Sequence, residues 1–526
     1  MKRKGYTAAL AICFASILCV GMMTSCGDSK EKSTQNAGQQ SEVPQSEQQN
    51  ETQREDMEQV ADGVSYQWQE ITFLMPQKWA DNCVILEVEQ GVEVYQKKSY
   101  EKAEGMGYLF GIIRSDDWMN YGTGEQMIAY TEDGTMYYLM RPIDMPADVE
   151  DEKTLAEYTT MAEQISQMAS SVQIDAQGVH YDAQQFMIPF SSIKTIDEEN
   201  LALLSDNELW IARNEIYARH GRVFKNTYLQ SYFDSCSWYL AEEGKTEVLE
   251  SELSEVEREN LEKIVAAEKN FLAQYPYPKE YKTNTMVQEC LTGTGELNTI
   301  SYTVISEGDD YRCVLTIDGT EYDLSKDIYM VSPDTEVFYI TNFVQFPGTD
   351  SEDEDGLEIA VLDYGPSSDL ETHFFKYDGA LHYLGGIGGF PFKEQNNGID
   401  GFNHMGGVNG TVRSDLIETA YLDGYWWYDS ENQKLTYMET GLHAYQYFTK
   451  HELLVDLPVY QEMNPNSNTI MMPAQENVYF LKSDLEEWIF VRGKDGTEGY
   501  IQIEDGNILN VDMPAEKVFT ELNYFD

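Results

Sequence analysis

The stretch that most constrains this chain is LSDNELWIARNEIYARHGRVF, residues Leu204–Phe224, because it specifies both ends of a helix. Ser205 and Glu208 have the Ser-x-x-Glu spacing of a capping box, in which the two side chains accept hydrogen bonds from backbone N–H groups at a helix start. Gly221 suits the left-handed conformation that commonly follows the last residue of a helix. The stretch therefore predicts one helix with a defined start and a defined end.

Two further helices are predicted behind it. Asn226 is placed to cap a short second helix that carries several aromatic residues. Ser254 and Glu257 repeat the capping-box spacing and open a third helix, whose apolar residues recur at helical intervals. Three short helices of this kind predict a small helical domain over residues 185–272.

The run RNEIYARHG, from Arg213 to Gly221, resembles the signature of the YARHG domain, which occurs in bacterial exported proteins. The resemblance continues through the aromatic residues that follow the run and into the third predicted helix. It implies an extracellular location for this part of the chain. It brings no established ligand and no catalytic role with it.

Four residues around this motif are candidate binding residues: Arg219, His220, Trp238 and Tyr239. Glu215 precedes Arg219 by four residues, the favourable order for an ion pair along a helix. His220 falls in the last helical turn, where the helix dipole favours the protonated imidazole. His220 is open to three interpretations: a buried structural residue, a contact to a ligand, or a catalytic group.

The N-terminus has the pattern of an export signal. Three cationic residues precede the apolar run Tyr6–Met23, and Cys26 follows small residues. Residues 1–25 resemble a bacterial lipoprotein signal, which implies that Cys26 is acylated and becomes the mature N-terminus. An ordinary secretory signal is the alternative interpretation.

Residues 26–61 are rich in Gln, Ser, Glu and Asn and contain no aromatic residue. Such a segment cannot bury enough apolar surface to fold, so we expect a disordered tether that spans about 30–35 Å on average. The chain as a whole carries a formal net charge of −57. This charge argues against nucleic acid as a partner.

Short runs of alternating apolar and polar residues dominate residues 62–178, which indicates antiparallel strands. Asp133 and Gly134 form a predicted hairpin turn between two of them. Thr154 is the predicted cap of a helix that follows the strands. Strands followed by a closing helix predict an α+β domain.

Residues 283–450 are strand-rich, and they contain the acidic segment DSEDEDGLEIAV. This segment resembles the calcium loops of propeller-type repeats, in which carboxylate oxygens surround a hard cation. The resemblance implies Ca²⁺ as the one possible cofactor and Ser351, Asp353, Asp355 and Glu358 as its ligands. A solvated acidic loop without metal is the alternative interpretation.

Two other features of this β-rich domain leave alternatives open. The run Tyr425–Tyr428, YWWY, is either a platform on which sugar rings stack or a set of core aromatic residues. Cys290 and Cys313 lie in neighbouring predicted strands, and they either form a disulfide outside the cell or remain free.

Residues 452–512 predict a small β-barrel with a hairpin at Asp495-Gly496. Trp488, Val491, Gly499 and Tyr500 follow a pattern similar to that of bacterial Src-homology-type wall-binding domains. The segment lacks the Asn-Val-Arg that usually opens that family's first strand. The resemblance implies a barrel fold and contact with the cell wall.

The sequence therefore predicts a multidomain α+β protein with an N-terminal α+β sheet domain, a three-helix domain, a β-rich middle domain and a C-terminal barrel. It contains no P-loop, no H-E-x-x-H and no G-x-S-x-G motif. We expect a membrane-anchored lipoprotein on the extracellular face of the bacterial membrane, whose non-catalytic modules bind cell-wall glycan or peptide or another envelope protein. An exported hydrolase acting on cell-wall material is the alternative.

Overall fold

The computed structural model of the protein describes residues 63–103, 105–118, 125–142, 151–162, 164–169, 171–307, 310–326, 328, 335–344, 356–365, 370–439 and 441–524. The predicted signal peptide, Cys26 and the whole of the predicted tether lie outside these residues. The architecture is mixed α+β and divides into two compact units. Unit 1 contains the residues up to Leu203 and Leu249–Lys263, and unit 2 contains Leu204–Val248 and the residues from Ile264 onward.

Unit 1 is built from antiparallel strands with short helices between them. The strands are β1 (Gly63–Trp68), β2 (Ile71–Pro76), β3 (Cys83–Val88), β4 (Gly91–Gln96), β5 (Tyr108–Ser115), β6 (Glu125–Thr131), β7 (Met136–Met140), β8 (Gln173–Ile174) and β9 (Val179–His180). The helices are α1 (Gln77–Ala80), α2 (Lys97–Lys102), α3 (Glu152–Ala162), α4 (Ile165–Ala169) and α5 (Glu198–Leu201). One sheet has the order β1-β2-β8, and the other has the order β3-β4-β5-β7-β6-β9.

The turn at Asp133-Gly134 is confirmed, because it joins β6 to β7 and Gly134 has a φ of +89°. The predicted cap at Thr154 is wrong. Asp151 caps α3 instead, since its carboxylate accepts hydrogen bonds from the backbone N–H groups of Lys153 and Thr154 and from the Thr154 hydroxyl. An ionised carboxylate at a helix start also interacts favourably with the helix dipole, which favours Asp151 over the neutral hydroxyl.

In unit 2 the helices of the motif are α6 (Asp206–Arg219) and α7 (Thr227–Asp234). A third helix, α8 (Glu255–Gln274), contributes its residues through Lys263 to unit 1 and the rest to unit 2. All three predicted caps are present. Asn226 accepts a hydrogen bond from Leu229 N, and Ser254 and Glu257 exchange hydrogen bonds with each other's backbone N–H groups.

The remainder of unit 2 is made of strands. They are β10 (Lys279–Lys282), β11 (Val287–Glu289), β12 (Asn298–Glu307), β13 (Asp310–Ile317), β14 (Thr320–Asp323), β15 (Val337–Thr341), β16 (Glu358–Asp363), β17 (Glu371–Tyr377), β18 (Leu381–Gly388), β19 (Gly407–Ser414), β20 (Ala420–Asp429), β21 (Lys434–Met438), β22 (His443–Ala444), β23 (Lys450–Glu452), β24 (Leu457–Tyr460), β25 (Thr469–Met472), β26 (Asn477–Ser483), β27 (Trp488–Gly493), β28 (Glu498–Glu504), β29 (Asn507–Ile508) and β30 (Met513–Pro514).

Three sheets form the middle of unit 2, with the orders β10-β15-β16-β17-β18, β11-β12-β13-β14 and β19-β20-β21. The five-stranded sheet is buried on both faces, as β16 shows. Ile359 and Val361 pack into a core shared with the four-stranded sheet, whereas Ala360 and Leu362 pack into a core shared with the three-stranded sheet. Alternate residues of a strand point to opposite faces, so a continuous apolar run such as this one fits a central strand.

The C-terminal sheet follows the path β22-β26-β27-β28-β24-β25, with β23, β29 and β30 attached beside it. Gly496 has a φ of +90°, which confirms the hairpin at Asp495-Gly496. The predicted closed barrel is not found, because β22 and β25 end the path unpaired to each other among the strands that the structure describes. Ala515, Val518 and Phe519 cover the core from the C-terminal segment, so its apolar residues are buried without closure of the sheet.

Candidate functional site

The helix α6 places the motif as its sequence predicts. Ser205 Oγ accepts a hydrogen bond from Glu208 N at 3.3 Å, and Glu208 accepts one from Ser205 N at 2.8 Å. At the other end Gly221 has a φ of +74°, and a Cβ there would lie 3.0 Å from Leu240 O. Gly221 is therefore required both by backbone conformation and by close packing.

Glu215, Arg219 and Trp238 form a layered arrangement at the end of α6. Glu215 Oε1 is 3.0 Å from Arg219 Nη2, and the Glu215 side chain is completely buried. The Arg219 guanidinium lies 5.9 Å from the centre of the Trp238 ring. The predicted ion pair is thus confirmed, and it compensates a buried carboxylate that would otherwise be costly.

His220 is the residue at which α6 ends. Its backbone N–H donates to Tyr217 O at 3.1 Å, and the residue is half-buried. His220 is therefore only partly covered, and its structural, ligand-contacting and catalytic interpretations all stay predictions.

Trp238 and Tyr239 belong to an aromatic cluster behind the helix. Phe233 packs edge-on against Trp238 at 5.9 Å and in a tilted contact against Tyr239 at 5.8 Å. The Tyr239 hydroxyl donates a hydrogen bond to Arg222 O at 2.6 Å. Tyr239 is therefore used to hold the turn after α6 in place.

Lys494, in the β27–β28 hairpin of the C-terminal sheet, contacts backbone carbonyl groups beside this aromatic cluster. Lys494 Nζ donates to Asp234 O at 2.8 Å, to Cys236 O at 3.0 Å and to Tyr239 O at 3.4 Å. We call these three carbonyl oxygens the carbonyl site. They lie at the last residue of α7 and just beyond it, where the helix dipole also favours a positive charge.

Arg492 adds a second cation from the same hairpin. Its guanidinium is paired with Glu498 across β27 and β28, and Nη1 lies 3.5 Å from Ser235 O. The Arg492 and Glu498 side chains are both buried. Two successive cations of one hairpin therefore face the backbone at the end of α7.

The starts of α6 and α7 contact a different part of unit 2. Asn207 and Asp400 exchange two hydrogen bonds, from Asn207 Nδ2 to Asp400 O at 2.8 Å and from Asp400 N to Asn207 Oδ1 at 3.0 Å. Asn226 Nδ2 donates to Asn397 O at 2.6 Å. Within unit 2, the two motif helices thus join the middle sheets at one end and the C-terminal sheet at the other.

Sequence reasoning assigned Trp238 and Tyr239 to binding but missed Lys494, because the two segments are far apart in the chain. The one local signal was that Lys494 directly precedes the Asp495-Gly496 turn and therefore lies at the tip of a hairpin. Nothing in the local pattern shows where such a tip docks.

The predicted calcium ligands are divided between described and undescribed residues. Asp353 and Asp355, with Ser351, lie outside the described residues, whereas Glu358 is buried and accepts hydrogen bonds from Thr341 Oγ1 at 3.2 Å and Phe343 N at 3.1 Å. Burial raises the pKa of Glu358 to about 8, against the opposing effect of Lys376. In the part of the chain that the structure describes, no three His, Cys, Asp or Glu residues are grouped to hold a metal.

The aromatic run on β20 alternates between the two faces of its sheet. Tyr428 is buried and stacks on Phe343 at 5.4 Å, whereas 39% of Trp427 is exposed. The Trp427 indole lies against Gly406, where a Cβ would be 3.2 Å from the ring. One residue of the run is therefore core, and another is an exposed ring held in a fixed orientation.

A groove of about 930 Å³ lies in the C-terminal region of unit 2. Its lining is rich in carboxylates: Asp415, Glu486, Glu487, Glu504, Asp505 and Glu516. Such a lining would repel phosphate groups.

The cysteines of the described residues are free, so Cys290 and Cys313 do not form the disulfide considered above. Cys313 is buried in the core between the four-stranded and five-stranded sheets, and burial raises the pKa of its thiol to about 11. A buried free cysteine behaves as a small apolar residue.

These features define a strand-rich α+β protein in which a small helical segment joins β sheets. Residues 184–269 match the family model of the YARHG domain, which confirms the resemblance carried by Arg213–Gly221. YARHG is a domain of extracellular and periplasmic proteins. Neither a comparison with curated proteins nor one with solved structures found a match to this chain. Among the described residues, no helix has the length and apolar character needed to span a membrane.

Proposed function

We propose that this protein is a lipoprotein of the bacterial cell surface, anchored through Cys26, whose folded units bind cell-wall glycan without cleaving it. The YARHG domain supports an extracellular location. The signal-like N-terminus and the polar segment at residues 26–61 support a lipid anchor followed by a tether.

The observation that carries this proposal is the exposed indole of Trp427 on the outer face of the β19-β20-β21 sheet. Trp427 is held against Gly406, and its cross-strand pairing partner on β21 is Thr436. Met438, on the same face of β21, is also exposed. An apolar ring of fixed orientation beside a hydroxyl suits a sugar, which presents a flat apolar face and a polar rim.

The buried groups of the motif around Arg219 support a structural role rather than catalysis. Glu215 compensates Arg219, Tyr239 bonds to Arg222 O, and the carbonyl site is filled by Lys494. These groups serve to shape unit 2. The half-buried His220 is the part of the motif through which an envelope partner would contact this surface.

The test is sedimentation of residues 27–526 with purified cell wall, comparing wild type with Trp427→Ala. We expect Trp427→Ala to weaken binding by about tenfold to a hundredfold, the range for loss of a ring that carries much of a binding site's energy. Tyr447→Ala is the matched control, since Tyr447 is an exposed aromatic residue of the same unit. Equal sedimentation of both variants and wild type would refute the assignment of Trp427.

A further inference from the structure

A chain of three side chains crosses the edge of the five-stranded sheet: Tyr383, His373 and Asp363. His373 Nδ1 is 2.8 Å from the Tyr383 hydroxyl, and His373 Nε2 is 3.3 Å from Asp363 Oδ2. Glu371 Oε2 is 3.5 Å from the same Nε2. His373 and Asp363 are buried, whereas 43% of Tyr383 is exposed. A buried base therefore contacts the hydroxyl of a solvent-accessible residue.

A β-bulge places Tyr383 on the same face as His373. The register of β17 and β18 shifts between Phe374 and Phe375, so that Phe375 pairs with Tyr383 and His373 pairs with Gly386. Directly paired residues share a face of the sheet, and residues two apart on β17 do so as well. Bulges of this kind redirect side chains and are frequent next to active sites.

Gly386 provides the space for the contact between the two side chains. A Cβ at this position would lie 3.0 Å from His373 Nδ1 and 3.3 Å from the Tyr383 hydroxyl. A side chain at this position would therefore force the imidazole or the phenol to shift by a few tenths of an ångström. The bulge and the glycine are separate features of the backbone that favour the same side-chain arrangement.

The three side chains can be assigned one consistent set of donor and acceptor roles. We assign the imidazole proton to Nε2, because an ionised Asp363 carboxylate only accepts hydrogen bonds. Nδ1 is then an acceptor, and the Tyr383 hydroxyl donates to it. A hydroxyl, a histidine base and an orienting carboxylate in this order are the parts of an activated nucleophile.

We propose that Tyr383 is a nucleophile toward acyl esters, activated by His373 and with Asp363 as the positioning residue. The phenol oxygen forms a bond to the ester carbonyl carbon while its proton moves to His373 Nδ1. The bond from carbon to the alcohol oxygen then breaks, and the imidazolium returns that proton to the departing alcohol. Water hydrolyses the acyl-tyrosine by the same route and releases the carboxylic acid.

The experiment is acetylation of the 27–526 protein by N-acetylimidazole, followed by mass spectrometry of the tyrosine peptides at successive early times, so that attachment of the acetyl group is measured before water removes it. Tyr447 is the internal control, because 45% of it is exposed and its hydroxyl accepts a hydrogen bond from Asn397. General-base assistance contributes about 10² to 10⁴ in rate, so we expect Tyr383 to react at least about 10² times faster than Tyr447. Rates within about threefold of each other would overturn the proposal.

Two variants test the roles of the partners. His373→Gln is expected to reduce acetylation of Tyr383 to the rate of Tyr447, and Asp363→Asn is expected to reduce it in part. The rate at Tyr447 in the same sample reports whether the fold is retained. The comparison of the two tyrosines in wild type requires neither variant to fold, and it is independent of binding to the cell wall.

Discussion

Loss of the Lys494 amino group is expected to open the contact between α7 and the β27–β28 hairpin. The perturbation is Lys494→Met, which keeps the apolar stem of the side chain and removes its charge. It deletes hydrogen bonds to Asp234 O at 2.8 Å and Cys236 O at 3.0 Å, together with a weaker one to Tyr239 O at 3.4 Å. Three backbone acceptors of the carbonyl site then lose a donor.

The magnitude follows from these contacts. A hydrogen bond from a charged donor contributes about 1.5–3 kcal/mol, so the two short bonds give a gross value of about 3–6 kcal/mol. Burial lowers the pKa of Lys494, which shows that removing the ammonium from water offsets part of this gain. We therefore expect a net loss of about 2 kcal/mol, equivalent to roughly a 30-fold rise in the equilibrium constant for opening.

The assay is the labelling rate of Cys236 in the native protein. Cys236 contributes a carbonyl to the site, is 2% exposed, and has a thiol pKa raised to about 12 by burial, so it reacts through opened states. We expect Lys494→Met to accelerate labelling of Cys236 about 30-fold and to leave Cys313 unchanged. Lys517→Met, at an exposed lysine, is the matched control. Equal labelling of Cys236 in the two variants would refute the reasoning.

Three further predictions concern the stability of unit 2. Gly221→Ala should destabilise it by about 1–2 kcal/mol, because an L-residue is strained at a φ of +74° and its Cβ would approach Leu240 O; thermal unfolding measures this. Ser205→Ala should cost about 1 kcal/mol by removing the cap of α6, and Ser430→Ala, at an exposed turn residue of the same unit, should cost little in the same assay. Folding raises the pKa of Glu358 from 4.5 to about 8, so between these pH values the folded unit keeps a proton that the unfolded chain has lost. The free energy of unfolding therefore falls as the pH rises through this window. Glu358→Gln should reduce the difference between the melting temperatures measured at pH 5 and pH 8.

The ends of the motif helices could be predicted because their causes are local. Ser205, Glu208 and Gly221 act within one helical turn of the boundary they define. The helix α3 shows where local prediction fails. Asp151 and Thr154 are both residue types that cap helices, and the spacing of the apolar residues of α3 does not show which of the two precedes the first turn. The carboxylate at Asp151 has the stronger interaction with the helix start.

The candidate sites were harder to predict because they depend on contacts between distant segments. Lys494 and Tyr239 meet only after the C-terminal sheet and the motif helices have folded. Tyr383 and His373 lie close in sequence, but their contact depends on a bulge and on Gly386. A regular register would place Tyr383 on the other face of the sheet, and no pattern in the sequence predicts the bulge that shifts it.

The exposure of Trp427 could be predicted in part from the sequence. Alternation on a strand requires that neighbouring residues of the YWWY run face opposite sides, so part of the run is core and part is exposed, and the sugar platform stays a prediction. Which side is the core depends on the packing of β19-β20-β21 against the five-stranded sheet.

The most direct test of the proposed function measures bound protein and released material in the same samples. Residues 27–526 are incubated with purified cell wall over time, and both the pelleted protein and the soluble wall fragments are quantified. We predict saturable pelleting, with fragment release no greater than in wall incubated alone. Release that grows with time and with protein concentration would contradict binding of the wall glycan without cleavage and would support an exported hydrolase of cell-wall material instead.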